Sequence, residues 1–342
     1  MKAVGFTKSL PITNDNALED FDLPMPIVNP TDLLIEIKAV SVNPIDIKVR
    51  LSGANEDGSP RVLGFDAAGI VKECGQSTQG FKPGDEVYYA GSINRAGSYA
   101  QFQTVDYRIV ALKPKSLDFA ASAALPLTML TAYEMLFDRL KIHKPVHSGT
   151  NAILINGGAG GVASAAIQLL RKLSDLTIIA TASRPQSQEW VKKMGAHFVI
   201  DHSKPFAQQL ETLQAPNPAF IFTTSHSDIY LSQFADIITP QGRLGLIDSP
   251  ASFDINPLKN KSISTHWESM FTRSLFQTDD MARQGDILNH IAQLVDNGAI
   301  QTTLNKTLAP LNAATLLEAH ALIEEGKVIG KIAILQDILK LQ

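Results

Sequence analysis

Gly158-x-Gly160-x-x-Ala163 is the pattern whose spacing most directly implies chemistry in this 342-residue chain. It follows the apolar run Ile153-Leu154-Ile155 and opens an alanine-rich stretch at helical spacing, so it reads as strand, tight turn, helix. Gly158 allows the sharp turn, Gly160 lets the backbone approach a pyrophosphate, and Ala163 lets the helix pack on the strand. The helix start adds unpaired N–H groups and a partial positive charge. A dinucleotide is the implied ligand, with Asn156, Gly158, Gly160, Gly161 and Val162 as candidate contacts. The next strand ends Ala180-Thr181-Ala182-Ser183-Arg184, where an NAD site would place an acid for the ribose 2′-hydroxyl, ~20 residues past the glycines. No acid occurs from Leu176 until Glu189. Arg184 instead offers a planar cation, and Ser183 a hydroxyl, suited to a 2′-phosphate, which favours NADP(H).

These residues must be positioned by a parallel sheet. From Asn151 onward strands alternate with helices: Ala152–Ile155, Gly161–Leu173, Thr177–Thr181, Gln186–Met194, Phe198–Ile200, Ala219–Thr223, Leu231–Ile237 and Arg243–Ile247. Such alternation predicts a doubly wound α/β sheet with helices on both faces. Before it, Asp32–Val42, Val62–Lys72, Glu86–Ala90 and Gly97–Val110 read as short strands with Gly/Pro corners, an all-β, barrel-like module. A helix over Thr128–Leu140 marks the change of grammar. The tail, with helices at Ile287–Asn297 and Ala313–Glu325 and a strand at Lys331–Leu335, is too small for a domain and is expected to return to the first module. The expected division is 1–125 with 274–342 around an insert at 126–273.

Composition narrows the function class. A net charge of −4 with no basic run argues against nucleic-acid binding. One cysteine, Cys74, excludes intrachain disulfides and cysteine-rich zinc sites and suits a reducing compartment. The N-terminal residues show no signal-like apolar region, and the apolar stretches read as shorter than the ~20 residues a membrane span requires. The expectation is a soluble cytoplasmic protein without membrane partners.

Five ordered motifs resemble the medium-chain dehydrogenase/reductase superfamily along essentially the whole chain. They are Asn43-Pro44-Ile45-Asp46 with Arg50, Leu63 to Gly69, Gly80-x-x-x-Gly84-Asp85, Leu125-Pro126-Leu127-Thr128 with Thr131-Ala132-Tyr133-Glu134, and the glycine cluster. Within it the chain is similar to the zinc-independent quinone oxidoreductases. Thr181-Ala182-Ser183-Arg184-Pro185 and His266-Trp267-Glu268 resemble a subgroup labelled zinc-type alcohol dehydrogenase-like. The resemblance implies a Rossmann domain inserted in a GroES-like barrel, a homodimer joined at the sheet edge near 263–270, and a small electrophilic substrate.

It also implies where zinc members hold metal: a Cys after the second strand, a His-Glu pair after a glycine, and a later Cys or Asp. Here those stretches read Ser41-Val42-Asn43 and Gly64-Phe65-Asp66. Asp46 and Asp66 cannot supply the three ligands a catalytic zinc requires. Pro145 interrupts His143 and His147, and His197 and His202 span a strand, so neither pair reads as a metal site. No metal is expected. Direct hydride transfer then suits a quinone or an α,β-unsaturated carbonyl, which are electron-poor without a Lewis acid. By resemblance, Asn43 and Asp46 face the nicotinamide, with Asn43 as a donor to the acceptor oxygen. The competing reading is that Asn43-Pro44 makes a turn and Asp46 caps the helix 45–51. Trp267, with Met270 and Phe271, is placed either on the acceptor pocket or in a core or interface. Tyr88 and Tyr89 are possible proton donors or plain packing. Thr128, His202, Ile247 and Lys331 complete the expected cofactor contacts. A zinc alcohol dehydrogenase and a non-catalytic NADPH-binding protein are the alternatives.

Overall fold

The computed structural model describes residues 1–147 and 150–337, and its contacts divide the chain into two compact units. The first runs to Leu127 and resumes at Phe271; the second is Thr128–Met270.

The first unit opens with β1 (Lys2–Phe6), β2 (Glu19–Asp22), β3 (Asp32–Val42), α1 (Pro44–Ser52), β4 (Arg61–Val62) and β5 (Asp66–Cys74). It continues with β6 (Glu86–Tyr89), β7 (Phe102–Asp106), β8 (Val110–Leu112) and α2 (Phe119–Ala123). Then come α3 (Pro126–Tyr133), β9 (Ala152–Asn156), α4 (Gly161–Leu173), β10 (Thr177–Thr181), α5 (Pro185–Met194) and β11 (Phe198–Ile200). After α6 (Phe206–Thr212), β12 (Phe220–Thr223), α7 (Ser227–Ile237), β13 (Arg243–Leu246) and β14 (Ser264–Trp267), the chain returns to the first unit. There it adds α8 (Thr272–Phe276), α9 (Arg283–Asp296), β15 (Leu304–Leu308), α10 (Ala313–Glu324) and β16 (Lys331–Leu335).

The long strand β3 organises the first unit. It pairs β5 along most of one side, β7 through Asp32–Glu36 and β16 through Ala39–Val42, all antiparallel, so one curved strand serves three neighbours. The returning strands β15 and β16 complete a seven-stranded sheet, beside a smaller sheet β2-β1-β4. Val62–Lys72 is not one strand. Gly64, at φ +102°, turns the chain between β4 and β5, and a Cβ there would lie 2.5 Å from the Tyr99 ring. The Gly97–Val110 stretch likewise splits into β7 and β8 around a 3₁₀ turn at Tyr107–Ile109.

The second unit is a six-stranded parallel sheet in the order β11-β10-β9-β12-β13-β14, which is the 3-2-1-4-5-6 order of a Rossmann fold. Leu154, Ile179, Ile221 and Leu244, one from each of four adjacent strands, join Phe206, Phe234 and Leu258 in a single core cluster. The expected helix over 128–140 is α-helical only to Tyr133; Glu134–Arg139 forms a π-helical turn. A π turn inserts a residue into the helical ladder, a feature common near functional sites.

One correction concerns apolar length. Phe119–Arg139 is long and apolar enough to cross a membrane, contrary to the sequence reading, but 89% of its apolar window is buried inside the protein, as in a core helix.

Candidate functional site

The second unit places Asn156, the glycine cluster, Ser183, Arg184, His202 and Ile247 at or just beyond the carboxyl ends of its strands. β9 ends on Asn156 and passes through Gly157, at φ +79°, into α4. A Cβ on Gly157 would sit 2.4 Å from Thr224 Oγ1, and one on Gly158 would sit 2.9 Å from the Thr181 carbonyl. The loop is therefore drawn tight against β10 and the end of β12. Gly160 is different: a Cβ there meets only the Gly157 carbonyl, at 3.4 Å. The first-turn N–H groups of α4 have no intrahelical acceptor by construction, and its N-cap Gly160 has no side chain to offer one. This cradle fits a pyrophosphate. Gly160→Val is accordingly expected to weaken nicotinamide-cofactor binding about tenfold or more (1.4 kcal/mol per decade) with an unchanged melting temperature. Fluorescence titration and thermal melts check it, and loss of the fold would show that the glycine is structural.

Asn156 does something the sequence did not reveal. Its Nδ2 donates to Thr223 Oγ1 (3.1 Å) and the Ser225 carbonyl (3.1 Å), and its Oδ1 accepts from Thr181 Oγ1 (2.9 Å). Thr181 Oγ1 in turn accepts from the Gly157 N–H at 2.9 Å. Asn156 is thus a buried brace tying three strand ends and the glycine turn together, a role that requires partners distant in sequence.

Ser183 is half-buried and Arg184 exposed just beyond β10, where Arg184 is the N-cap of α5. Ser187 Oγ accepts from the Arg184 N–H (3.2 Å) and donates to its carbonyl (2.8 Å). No acid stands in the first turn of α5. His202 follows β11 with a ring nitrogen 3.1 Å from the Tyr230 hydroxyl, and Ile247 follows β13, half-buried. Thr128 is buried in α3. His197 accepts from the Ile178 N–H through Nδ1, a structural role.

The same unit holds a buried acidic pair. Arg139 Nε, on the π turn, donates to Glu268 Oε2 at 2.7 Å, and Glu134, on the same turn, is hydrogen-bonded to the Glu268 carboxyl. Both glutamates are buried. Burial, and then repulsion by Glu134, push the Glu268 carboxyl up to about 8 against the pull of Arg139. Trp267, one residue earlier, is 53% exposed and edge-on to Phe253.

The first unit brings together Asn43, Asp46, Asp66 and Lys331, all almost fully buried. Asn43 caps α1, and Asp46, three residues on, accepts from the Asn43 N–H (2.7 Å) and the Gly64 N–H (3.2 Å). The helix-cap reading of Asp46 therefore describes what its carboxylate does in this structure. Asn43 Nδ2 donates to Asp66 Oδ2 (2.8 Å) and the Ser41 carbonyl (3.3 Å). Lys331 Nζ donates to the Val42 carbonyl (2.9 Å), Asn43 Oδ1 and Asp66 Oδ2 (3.1 Å). Asp66 Oδ1 accepts from the Leu127 N–H at 2.8 Å. Lys331, 4% exposed, is turned into this cluster, and both Asn43 amide hydrogens are engaged within it. Asp46 is pushed up to about 7, chiefly by burial and further by Asp66, while the Asn43 N–H and Lys331 pull it down. Asp66 is also raised by burial, with Lys331 opposing. Tyr88 and Tyr89 are buried with their hydroxyls donating to the Leu288 carbonyl and Gln103, so they are packing residues. Met270 and Phe271 are buried, Phe271 edge-on to Phe65 at 5.0 Å.

These donors do not fit zinc. By the resemblance, Asn43 and Phe65-Asp66 stand where zinc members carry a Cys and a His-Glu pair, and the polar atoms of Asn43 and Asp66 already bond one another and the Lys331 ammonium. A second cation beside Lys331 would be repelled. Among the described residues no group of three or more His, Cys, Asp or Glu could hold a metal ion.

A Rossmann sheet with a glycine cradle, joined to a β-rich unit closed by its own C-terminal strands, defines a dinucleotide-dependent oxidoreductase. The chain matches the alcohol dehydrogenase GroES-like domain over residues 29–115 and the zinc-binding dehydrogenase domain over residues 194–334. A zinc-type alcohol dehydrogenase-like protein of Staphylococcus aureus is 38% identical over 336 residues, covering 98% of this chain and 99% of the relative. A 2-methylene-furan-3-one reductase of Solanum lycopersicum is 39% identical over 320 residues, covering 91% and 73%. The crystal structure of a Rhizobium etli protein assigned as a zinc-dependent alcohol dehydrogenase superposes with a TM-score of 0.96 at 55% identity, over 98% of both chains. The chain belongs to the medium-chain dehydrogenase/reductase superfamily, among its zinc-type alcohol dehydrogenase-like members.

Proposed function

We propose that this oxidoreductase uses NADPH to reduce quinones or α,β-unsaturated carbonyls without zinc. The observation that carries the reading is the buried Lys331 ammonium, bonded to Asn43 and Asp66 at the family's metal-ligand positions. Without a Lewis acid, a simple ketone lacks the polarisation that makes its carbon accept hydride, whereas a conjugated carbonyl or quinone is already electron-poor. The reductase from Solanum lycopersicum, named for an enone of this kind, supports the same substrate class. NADPH supplies the hydride when bound; the chain's own task is to hold the cofactor and exclude water. The glycine turn braced by Asn156 receives the pyrophosphate, and Arg184 with Ser183 receives the 2′-phosphate. A homodimer formed along the β14 edge remains part of this proposal.

The cofactor assignment predicts that Arg184→Ala weakens NADPH binding about tenfold, or 1.4 kcal/mol, while NADH binding is unchanged. Equal loss for both cofactors, measured by titration, would remove Arg184 from the 2′-phosphate. The reaction is tested by NADPH oxidation with para-benzoquinone, using protein exhaustively treated with a chelator. Turnover that survives chelation supports the reading. Turnover that returns only with added zinc overturns it, and NADPH binding without turnover under either condition would identify a cofactor-binding protein.

A further inference from the structure

Among the buried polar atoms of the first unit without a hydrogen-bond partner within 3.5 Å in the described residues, four belong to three side chains: Arg50 Nε, the Tyr99 hydroxyl and both ring nitrogens of His320. All three side chains are fully buried. They are also neighbours. The Tyr99 and His320 rings meet edge-on with centroids 6.2 Å apart, and the Arg50 charge is felt at His320. Buried polar groups are almost always bonded, by ordered water where no protein group reaches. Four such atoms in one place call for a small water cluster.

Two helices set this cluster out in rungs. Asp46 and Arg50 lie one turn apart on α1, and His320 and Glu324 lie one turn apart on α10. Arg50 donates to Glu324 across one rung. Tyr99 stands between the other pair, with its ring on His320 and its hydroxyl near Asp46. Burial first, then the charges of Asp46 and Asp66, keep the phenol protonated. Burial and Arg50 bring His320 down to about 3, so the ring is neutral at working pH, with one nitrogen donating and the other accepting. The Glu324 side chain is 31% exposed, so the series ends at solvent.

The geometry points to a hydrated proton path from solvent at Glu324, past the buried Arg50, through His320 and Tyr99, to the Asp46/Asp66/Lys331 cluster. Its purpose rests on the reductase reading above; its existence does not. Reduction adds a hydride to the acceptor carbon and one proton to the product. A proton released from the Asp46 carboxyl breaks its O–H bond and leaves a carboxylate. One proton taken from solvent and passed along the water-linked hydroxyl and imidazole restores it, leaving the cluster's charge unchanged. His320 and Tyr99 are positioning residues in this scheme.

The test follows hydrogen–deuterium exchange of the protonated Asp46 carboxyl by its infrared carbonyl band at pH 6, with Asp46→Asn identifying the band. His320→Phe fills the space without a nitrogen, and Tyr99→Phe removes a single oxygen. Each is expected to slow exchange about tenfold or more. In turnover each lowers kcat and enlarges the solvent isotope effect, with KM for NADPH unchanged. Should His320→Phe fail to fold, Tyr99→Phe decides alone. Exchange in Tyr99→Phe as fast as in the unaltered protein overturns the path. Slowed exchange in a protein that oxidises no NADPH refutes the reductase reading and leaves the path standing.

Discussion

Replacing Lys331 with methionine is expected to lower the unfolding free energy at pH 8 by about 3–5 kcal/mol, the cost of breaking a buried ion pair by removing one partner. The methionine fills similar space, so little of the loss comes from packing. What remains is two buried carboxyls, Asp46 and Asp66, without their cation. The sign with pH follows from Asp46, whose folded value near 7 lies above its ordinary 3.8. A raised carboxyl contributes stability that is fully present below the unfolded value and lost as pH rises through the folded one. Removing Lys331 raises both carboxyls further, so the deficit is greatest at pH 8 and shrinks toward pH 5. Asp66→Asn in the same chain is expected to restore most of it, since the excess charge is gone. Urea unfolding of the single and double variants at both pH values measures this. A loss below about 1 kcal/mol at pH 8, the scale of an exposed pair, would mean that the ammonium does not balance the cluster.

The second large effect belongs to Glu134 and Glu268. The Glu268 carboxyl lies near 8 when folded against 4.5 ordinarily, because it is buried beside another carboxyl. Stability from this group is complete below pH 4.5 and is lost as pH rises through about 8. At one pKa unit per 1.4 kcal/mol, and with the shift shared between two coupled groups, about 2–4 kcal/mol should disappear between pH 6 and pH 9. As the pH rises through that range the shared proton leaves, and the two carboxylates repel beside Arg139, which bonds Glu268 from the π turn. Glu268→Gln keeps a hydrogen bond to Glu134 without the second charge. It should flatten the profile, leaving stability near pH 6 almost unchanged and raising it at pH 9. A flat profile in the unaltered protein would show that the pair shares no proton.

Much of the architecture was legible before any coordinates. β3, α4, β10, β11 and β16 fall on the residues their patterns predict, because strong apolar periodicity and a glycine turn act within a few residues. The departures have local physical causes. Gly64 breaks an apparent strand because its backbone turns to positive φ beneath Tyr99, and the helix after Thr128 gives way to a π turn that carries Glu134 and Arg139 to Glu268. The strands β1, β2, β14 and β15 have no counterpart in the sequence reading.

Ordered motifs and short spacings alone carried the superfamily and the Rossmann half of this chain, since these act within a few residues of one another. Tertiary structure alone decided what the polar residues do. Asp66 and Lys331 are 265 positions apart, and Asn156 meets Thr181 and Thr223 across three strands. No local spacing encodes such meetings. Burial then gives them force, because a charge removed from water must find a partner or a proton, and only the folded chain determines which.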